Sequence, residues 1–225
     1  MLRSHKKLTK KEMKQDKLII LTAKVVDYIS DEWVKIGSIL LGVIVIVSVS
    51  LYIVRGMERS EINAYDIAIN ALLNNEPEST ELLTKYINKH GGSKRAAGVL
   101  INLGNYYYTQ NDYDSAEIYF QKYINTFSED QLYGFNAYNG LGGIFEEKGE
   151  YNEAGKLYEE FISKYRNSVF VPIMYLNAGK AYYSAGNKDA AIRNFNRIVD
   201  RYGDSQEKQE ALFYIEMLSG DSNGV

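Results

Sequence analysis

The sequence contains no cysteine, 2 prolines and 2 histidines in 225 residues. Without cysteine, the chain can form neither a disulfide nor a thiolate metal site. The scarcity of proline is compatible with long helices, because proline breaks a helix interior. His5 and His90 are far apart in the chain, and no phosphate-binding glycine loop, metal-spaced histidine pair or GxSxG motif accompanies them. The sequence therefore predicts no enzyme, no metal site and no cofactor or small-molecule substrate.

Charge is distributed unevenly along the chain. Residues 1–54 contain 9 Lys and Arg against 5 Asp and Glu, a net charge of +4. Residues 55–225 contain 17 against 24, a net charge of −7. A nucleic-acid-binding protein needs clustered basic residues on its folded body, so the acidic body predicts no nucleic-acid partner.

One apolar run of 19 residues, 36–54, contains no charged side chain and lies between Lys35 and Arg55. A helix of that length spans about 30 Å, which matches the hydrocarbon core of a bilayer. Trp33 and Tyr52 lie near its ends, where aromatic side chains favour the interface. We therefore expect a transmembrane helix over residues 33–55, in contact with the lipid bilayer.

Two alternatives compete with a membrane anchor. The run could be a buried helix of a soluble protein, or a signal peptide cleaved near the small-x-small triplet Ser48-Val49-Ser50. The basic region before the run is over thirty residues long, which argues against a signal peptide. Nine Lys and Arg precede the run, whereas only Arg55 and Arg59 follow it closely. This bias predicts a cytoplasmic N-terminus and a body on the far side of the membrane.

Residues 1–32 form a basic head. The pattern Thr9-Lys-Lys-Glu12 is typical of a helix start, and Leu18, Leu21 and Val25 recur at helical spacing. We expect a partly amphipathic helix at an anionic membrane surface. A disordered basic tail that only sets topology is an equal alternative for residues 1–15.

Three segments of 34 residues align with one another: 97–130, 135–168 and 172–205. Each has a glycine in its first half, and an alanine and an aromatic residue, four positions apart, in its second half. The glycines are Gly104, Gly142 and Gly179, the alanines Ala116, Ala154 and Ala191, and the aromatics Phe120, Tyr158 and Phe195. A mid-helix glycine costs about 1 kcal/mol relative to alanine, so we expect close helix–helix contact to compensate for it.

These positions resemble the tetratricopeptide-repeat family. Its first-helix motif is matched by Leu103-Gly104, Leu141-Gly142 and Ala178-Gly179, and its second-helix motif by the alanine and aromatic pairs. Its closing proline is absent, with Ser128, Arg166 and Gly203 in that place. The resemblance implies an all-α solenoid of helix pairs that binds other proteins.

Weaker similarity extends the repeats in both directions. Residues 84–90 resemble residues 121–127, which predicts a degenerate first repeat over 56–93, with Ser79 at the alanine position. His90 then occupies the aromatic position and is expected to pack. Residues 206–218 predict an amphipathic capping helix, and residues 219–225 a disordered tail.

The resemblance also implies a partner groove lined by the first helices. The family's groove positions are the second, fifth, ninth and twelfth of each repeat. They correspond here to Gly98, Ile101, Asn105, Tyr108, Asn136, Asn139, Gly143, Glu146, Ile173, Leu176, Lys180 and Tyr183. Asparagine amides can bond a peptide backbone in both directions, and tyrosine provides contact area at low entropic cost. With Lys180 alone, a clamp for a C-terminal carboxylate is not expected; some of the tyrosines could instead pack internally.

The architecture as a whole resembles the ancillary translocon subunit of bacterial inner membranes. That family has a short cytoplasmic head, one membrane helix and periplasmic repeats, and it associates with the Sec channel and with chaperones. The resemblance implies a single-pass inner-membrane protein whose partners are translocon subunits, chaperones or exported chains. A scaffold for cell-envelope assembly or cell division is the alternative, although such proteins usually lack a retained membrane helix. An enzyme built on helical repeats is a third hypothesis.

Overall fold

A computed structural model describes residues 10–203 and 205–220, without the side chains of residues 10–16, 29, 31 and 220. Within these ranges the chain is all-helical and has no strand, which confirms the predicted fold class. The helices are α1 (Lys10–Leu73), α2 (Ser79–His90), α3 (Ala96–Thr109), α4 (Tyr113–Thr126), α5 (Gln131–Glu147), α6 (Tyr151–Lys164), α7 (Val171–Ser184), α8 (Lys188–Arg201) and α9 (Gln206–Gly220). The chain divides between residues 62 and 63 into two compact units.

The first unit consists, in the described range, of α1 up to Ile62. The helix runs without a break through the predicted head and the predicted membrane segment. No proline interrupts it, since the first proline of the chain is Pro77. Thr9, half of the predicted capping box, lies outside the described residues.

One described stretch, Glu32–Leu73 of α1, is long and apolar enough to cross a membrane. Its most apolar 18-residue window has a mean hydropathy of 2.6, and none of that window is buried. From Ile39 to Val54, each large apolar side chain is at least half exposed. The buried-helix alternative therefore does not describe this segment.

The second unit stacks antiparallel helix pairs. α3 packs on α4, α5 on α6 and α7 on α8, and each pair also contacts the next. One pair corresponds to each of the segments 97–130, 135–168 and 172–205, but α3, α5 and α7 begin at Ala96, Gln131 and Val171, before the predicted starts. The start of α5 is four residues earlier because the Asp130 side chain accepts hydrogen bonds from the Leu132 and Tyr133 amides. α9 packs on α7 and α8.

The same turn ends the first helix of each pair. One residue adopts a positive φ, and the next amide donates to a carbonyl five residues earlier, which satisfies a helix-terminal oxygen. The positive-φ residues are Asn111, Gly149 and Gly186. The hydrogen bonds are Asp112 to Tyr107 (3.0 Å), Glu150 to Phe145 (2.7 Å) and Asn187 to Tyr182 (2.9 Å).

The end of α1 repeats this turn. Asn75 has a φ of 55°, and the Glu76 amide donates to the Ala71 carbonyl at 2.8 Å. Tyr65 near this end lies edge-on to Tyr86 of α2, with ring centroids 5.7 Å apart. The end of α1 therefore contacts α2, and the two lie where the sequence predicts a degenerate repeat.

His90 and Ser79 lie in this pair. The His90 ring lies 5.3 Å from the Tyr86 ring, as expected of a packing residue. Ser79 is 7% exposed at the predicted alanine position. Ser79 is therefore buried, whereas His90 packs against Tyr86 and stays partly exposed.

α9 differs from its prediction in two respects. Ser219 and Gly220, assigned to a disordered tail, are the last residues of the helix. Buried Leu218 anchors this turn, and the Ser219 hydroxyl donates to the Glu216 carbonyl. The outer side of α9 also exposes three large apolar side chains, those of Leu212, Phe213 and Met217. Residues 221–225 lie outside the described residues.

Candidate functional site

The first helices of the three repeats line a cavity of about 540 Å³. α3, α5 and α7 contribute its long sides, because their groove-facing side chains recur once per repeat. The structure brings together seven of the nine predicted partner-groove residues, together with Gly143. The seven are Asn105, Tyr108, Asn136, Asn139, Glu146, Lys180 and Tyr183.

Ile101 and Leu176 do not line this cavity. They are 4% and 5% exposed and belong to the two buried clusters of the repeat body. An apolar side chain at this repeat position is more stable against a neighbouring helix than against water. The equivalent position of the middle repeat carries the polar Asn139, which does face the cavity.

Two other predicted positions also lie outside the cavity. The Cα of Gly98 faces Tyr133: a Cβ added there would lie 2.9 Å from the Tyr133 hydroxyl oxygen. Ile173 near the start of α7 is half-buried. The second position therefore lines the cavity only in the middle repeat, through Asn136.

Asn139 and Asn177 form a hydrogen-bonded pair across α5 and α7. The Asn177 Nδ2 donates to the Asn139 Oδ1 at 2.9 Å, and both side chains are half-buried. Among the described residues, no hydrogen bond is formed by the Asn139 Nδ2 or by the Asn177 Oδ1, which are the atoms that this bond leaves unused. The pair therefore offers one donor and one acceptor to a ligand in the cavity.

A carboxylate lies at the other end of the cavity. The Tyr158 hydroxyl donates to the Glu146 Oε1 at 3.1 Å. Burial raises the pKa of the Glu146 carboxyl, while the Tyr158 hydroxyl and the Lys180 charge act in the opposite direction. Burial likewise raises the pKa of Tyr158, and Glu146 adds to this effect.

Lys180 is held by the capping helix. Its Nζ lies 3.0 Å from the Glu210 Oε1 of α9. This hydrogen bond raises the pKa of Lys180 above its ordinary value. The ammonium group is thus paired within the chain, which limits its use as a ligand for a free carboxylate.

Seven residues that line the cavity were not among the predicted groove positions: Gly140, Tyr151, Tyr158, Asn177, Ala181, Ser184 and Tyr214. Asn177 follows a predicted position directly, so a wider window on α7 would have found it. Tyr158 was identified only as a packing residue of the second helix. Tyr214 belongs to α9, which has no repeat to align with, so no sequence signal pointed to it.

In the part of the chain that the structure describes, no group of three or more His, Asp or Glu side chains is placed to hold a metal ion. The cavity walls consist of amides, phenols and one carboxylate beside one ammonium group. Such groups donate and accept hydrogen bonds. The arrangement is therefore suited to holding a polar chain by hydrogen bonds and aromatic contact.

The sequence matches two tetratricopeptide-repeat profiles, one over residues 101–169 and the other over residues 174–205. No curated protein sequence matches the chain.

Solved structures that match the chain do so at low sequence identity. A tetratricopeptide repeat protein from Parabacteroides merdae is 15% identical, with a TM-score of 0.59, and the match covers 72% of this chain and 61% of that one. The chain thus spans less than two thirds of that relative.

Two further structures have TM-scores of 0.46. The N-terminal domain of stress-induced protein-1 from C. elegans is 20% identical, and the match covers 55% of this chain and 94% of that one. PilF from Pseudomonas aeruginosa is 18% identical, with coverages of 72% and 76%. The profile matches, the 34-residue units and the stacked helix pairs agree: residues 101–169 and 174–205 are tetratricopeptide repeats, a fold that serves as a scaffold for protein–protein interaction.

Proposed function

We propose that this chain is a single-pass protein of the bacterial plasma membrane whose repeat groove binds extended polypeptide segments on the periplasmic side. Its role would be that of an ancillary factor in protein translocation, with translocon subunits, chaperones or exported chains as partners. Tetratricopeptide repeats are typically non-catalytic scaffolds. The proposal adds to that a location, a ligand chemistry and a partner class.

The hydrogen-bonding state of Asn139 and Asn177 is the observation that carries the peptide-binding part. A peptide backbone presents one N–H and one C=O per residue, and both must be satisfied when the peptide is buried. The Asn139 amide nitrogen can donate to a peptide C=O, and the Asn177 amide oxygen can accept from a peptide N–H, both at half-buried positions. Because they would bond the backbone, binding tolerates many sequences, as a factor serving diverse exported chains requires.

Tyrosine rings supply the rest of the contact surface. Tyr108, Tyr183 and Tyr214 line the same cavity from three helices. The Tyr183 and Tyr214 rings lie edge-on, with centroids 5.4 Å apart, so they restrict each other's rotation. Rigid aromatic side chains lose little entropy on binding, so their contact area can contribute to affinity for many different chains.

The exposed apolar surface of α1 supports the membrane location. Side chains from Ile39 to Val54 would be unfavourably exposed in water, and a bilayer would cover them. The charge bias supports the orientation, because Lys10, Lys17, Lys24 and Lys35 precede the span, whereas Arg55 and Arg59 follow it.

Photo-crosslinking in living cells tests the partner class. A benzophenone amino acid is placed at Tyr108 or Asn139 in the groove, and at Lys122 as an exposed control on α4. We expect translocon subunits, chaperones or exported chains to crosslink from the groove positions alone, identified by mass spectrometry. If the same partners crosslinked equally well from Lys122, the groove would not be the binding site. If only envelope-assembly or cell-division proteins crosslinked, the alternative scaffold role would be favoured.

A variant pair tests the amide mechanism. Replacing both groove asparagines (N139A together with N177A) removes the backbone partners, whereas Asn125→Ala removes an exposed amide from α4. With the crosslinker at Tyr108, the double variant should lose most of its crosslinks to partner proteins, and Asn125→Ala should keep them. Undiminished crosslinking in the double variant contradicts the mechanism.

The absence of cysteine makes topology testable by single-cysteine labelling. A membrane-impermeant maleimide should label Lys122→Cys in spheroplasts, and Lys24→Cys only after the membrane is permeabilised. The opposite pattern would invert the orientation. Extraction of the full chain by carbonate without detergent would refute the anchor.

A further inference from the structure

Four arginine side chains surround a second cavity, of about 480 Å³, which shares no residue with the groove. Arg193, Arg197 and Arg201 come from α8, and Arg166 follows α6. We call this site the arginine cavity. In the sequence the three α8 arginines recur every fourth residue, but their proximity to Arg166 depends on the fold.

The α8 arginines lie on one face because residues four apart on a helix are neighbours. Like charges at this spacing destabilise a helix modestly, so clustering three arginines on one face has a cost. All four side chains are exposed, and within the described residues none of the four forms an ion pair. The Arg166 Nε donates only to the Ser163 carbonyl, at 3.2 Å. The four charges are thus available to a ligand.

One described carboxylate, that of Glu159, lines this cavity, and it already has partners. Its Oε1 accepts from the Asn194 Nδ2 at 2.8 Å, and its Oε2 accepts from the Tyr182 hydroxyl at 3.1 Å. Asn194 is 3% exposed, so the carboxylate is held from below by a buried amide. Four arginine charges against one carboxylate leave the cavity with a net positive charge.

The body as a whole is acidic, with a net charge of −7 over residues 55–225 even with these arginines counted. An anionic bilayer would repel such a body, and a cavity exposes fewer charges to a flat surface than a ridge does. A narrow acidic ligand can enter where a membrane cannot approach. The charge pattern therefore favours an acidic polypeptide over lipid.

The spacing of the arginines also suits a polypeptide. A helix rises about 1.5 Å per residue, so successive α8 arginines are displaced by about 6 Å along the axis. Alternate side chains of an extended strand recur at roughly 6.6–6.8 Å on one face. Guanidinium groups bind carboxylates in a bidentate fashion. The rings of Tyr175 and Tyr202, with centroids 6.3 Å apart, line the same cavity.

We propose that the arginine cavity binds an acidic segment of a partner protein in extended conformation, with Arg193, Arg197 and Arg201 pairing with carboxylates at alternate positions. This is a second site, separate from the groove, and it does not depend on how the groove functions. It would let the chain hold two polypeptides, or two parts of one, at the same time.

Fluorescence anisotropy of the full chain in a neutral detergent tests this site with a labelled Glu-Ser-Glu-Ser-Glu peptide. We expect binding that weakens with salt, and loss of about ten-fold or more in affinity when glutamine replaces glutamate. Arg193→Gln combined with Arg197→Gln should cause a similar loss. Lys122→Gln, the same charge change at an exposed site on α4, should alter the affinity by less than about two-fold.

Conservative variants and the groove variants make the test specific. Arg197→Lys keeps the charge but loses the bidentate geometry, so it should cost several-fold in affinity. The asparagine double variant of the groove should bind the acidic peptide normally, which separates failure of this site from failure of the groove. Unchanged thermal melting of the arginine double variant would show that the loss is not due to unfolding.

Other occupants would overturn the proposal. Binding of the protein to phosphatidylglycerol vesicles would assign the cavity to lipid if the arginine double variant lost that binding and the acidic peptide did not compete with it. Analytical ultracentrifugation tests for self-association. Self-association that the arginine double variant abolishes, and that the acidic peptide does not inhibit, would assign the cavity to a second copy of the chain. Equal binding of the glutamine peptide, or equal loss in Lys122→Gln, would show that the arginines do not read carboxylates.

Discussion

The Cα of Gly104 on α3 lies against the ring of Phe120 on α4. A Cβ added to Gly104 would lie 2.5 Å from the Phe120 Cε1, closer than real Cβ atoms come. Gly142 with Tyr158 and Gly179 with Phe195 form the same contact, even more closely. The predicted reason for the repeated glycines, close approach of the paired helices, is therefore confirmed, and the aromatic residue sixteen positions later is the partner.

Gly104→Ala should destabilise the repeat body by about 1–3 kcal/mol, because the fully buried Phe120 ring has little room to move. The added methyl improves helix propensity by about 1 kcal/mol, which only partly offsets the overlap. Gly92→Ala is the control, since nothing lies within 4 Å of its Cβ. Thermal melting of both full-length variants measures the difference, and equal stabilities would contradict the contact.

Asn194→Leu should cost about 1–3 kcal/mol, because it leaves the half-buried Glu159 carboxylate without its closest donor. Asn196→Leu, two residues further along α8, replaces an exposed amide and should change stability by less than about 0.5 kcal/mol. Denaturant unfolding monitored by circular dichroism gives both values. A similar cost at both positions would show that the Glu159 contact is not what matters.

Tyr214→Ser should destabilise the end of the solenoid by about 1.5–3 kcal/mol. The Tyr214 ring stacks on the buried Phe195 ring, with centroids 5.1 Å apart and planes at 11°. The adjacent Phe213 is 58% exposed, so Phe213→Ser should have an effect of less than about 0.5 kcal/mol. Hydrogen exchange of the α7–α9 amides would locate the effect, and protection equal in the two variants would contradict it.

Glu146→Gln should change how stability depends on pH. Burial raises the pKa of Glu146 in the folded protein, so folding favours its protonated form. Its contribution to stability is therefore fullest below the unfolded value of about 4.3 and is lost as the pH rises through the raised folded pKa. The glutamine keeps an acceptor for the Tyr158 hydroxyl and does not ionise.

We therefore expect Glu146→Gln to be at least as stable as the parent at pH 7, with the advantage shrinking as the pH falls towards 4. Melting temperatures at several pH values measure this difference. Glu147→Gln, at the exposed neighbouring position, serves as the control. An advantage of Glu146→Gln that grows on acidification would show that the sign is wrong.

The paired helices could be predicted because their determinants are local and repeat along the chain. Gly142, Ala154 and Tyr158 occupy fixed positions in a 34-residue unit, and turn residues such as Gly149 separate the two helices. The uninterrupted helix α1 was only partly foreseen. Composition changes at its predicted boundaries, yet no residue between Lys10 and Leu73 ends a helix.

The groove was partly predictable for the same reason, because equivalent positions of successive repeats face the same side of the helix pair. The pattern placed Asn105, Asn139 and Lys180 correctly in one cavity, but it also included Ile101 and Leu176. The position within a repeat determines the direction of the Cα–Cβ bond. Whether an apolar side chain there is buried, as Ile101 and Leu176 are, depends on the neighbouring helix. That neighbour is not visible within the repeat itself.

By itself the sequence determined the helical class, the 34-residue period, the apolar span and the asymmetry of charge, because each depends on residues close together in the chain. Only the tertiary structure decided which side chains meet across helices, Asn139 with Asn177 and Lys180 with Glu210. These contacts join residues about thirty or more positions apart. The tertiary structure also brought Arg166 and the arginines of α8 to one cavity. This geometry arises from the stacking of whole helix pairs, which no single segment encodes.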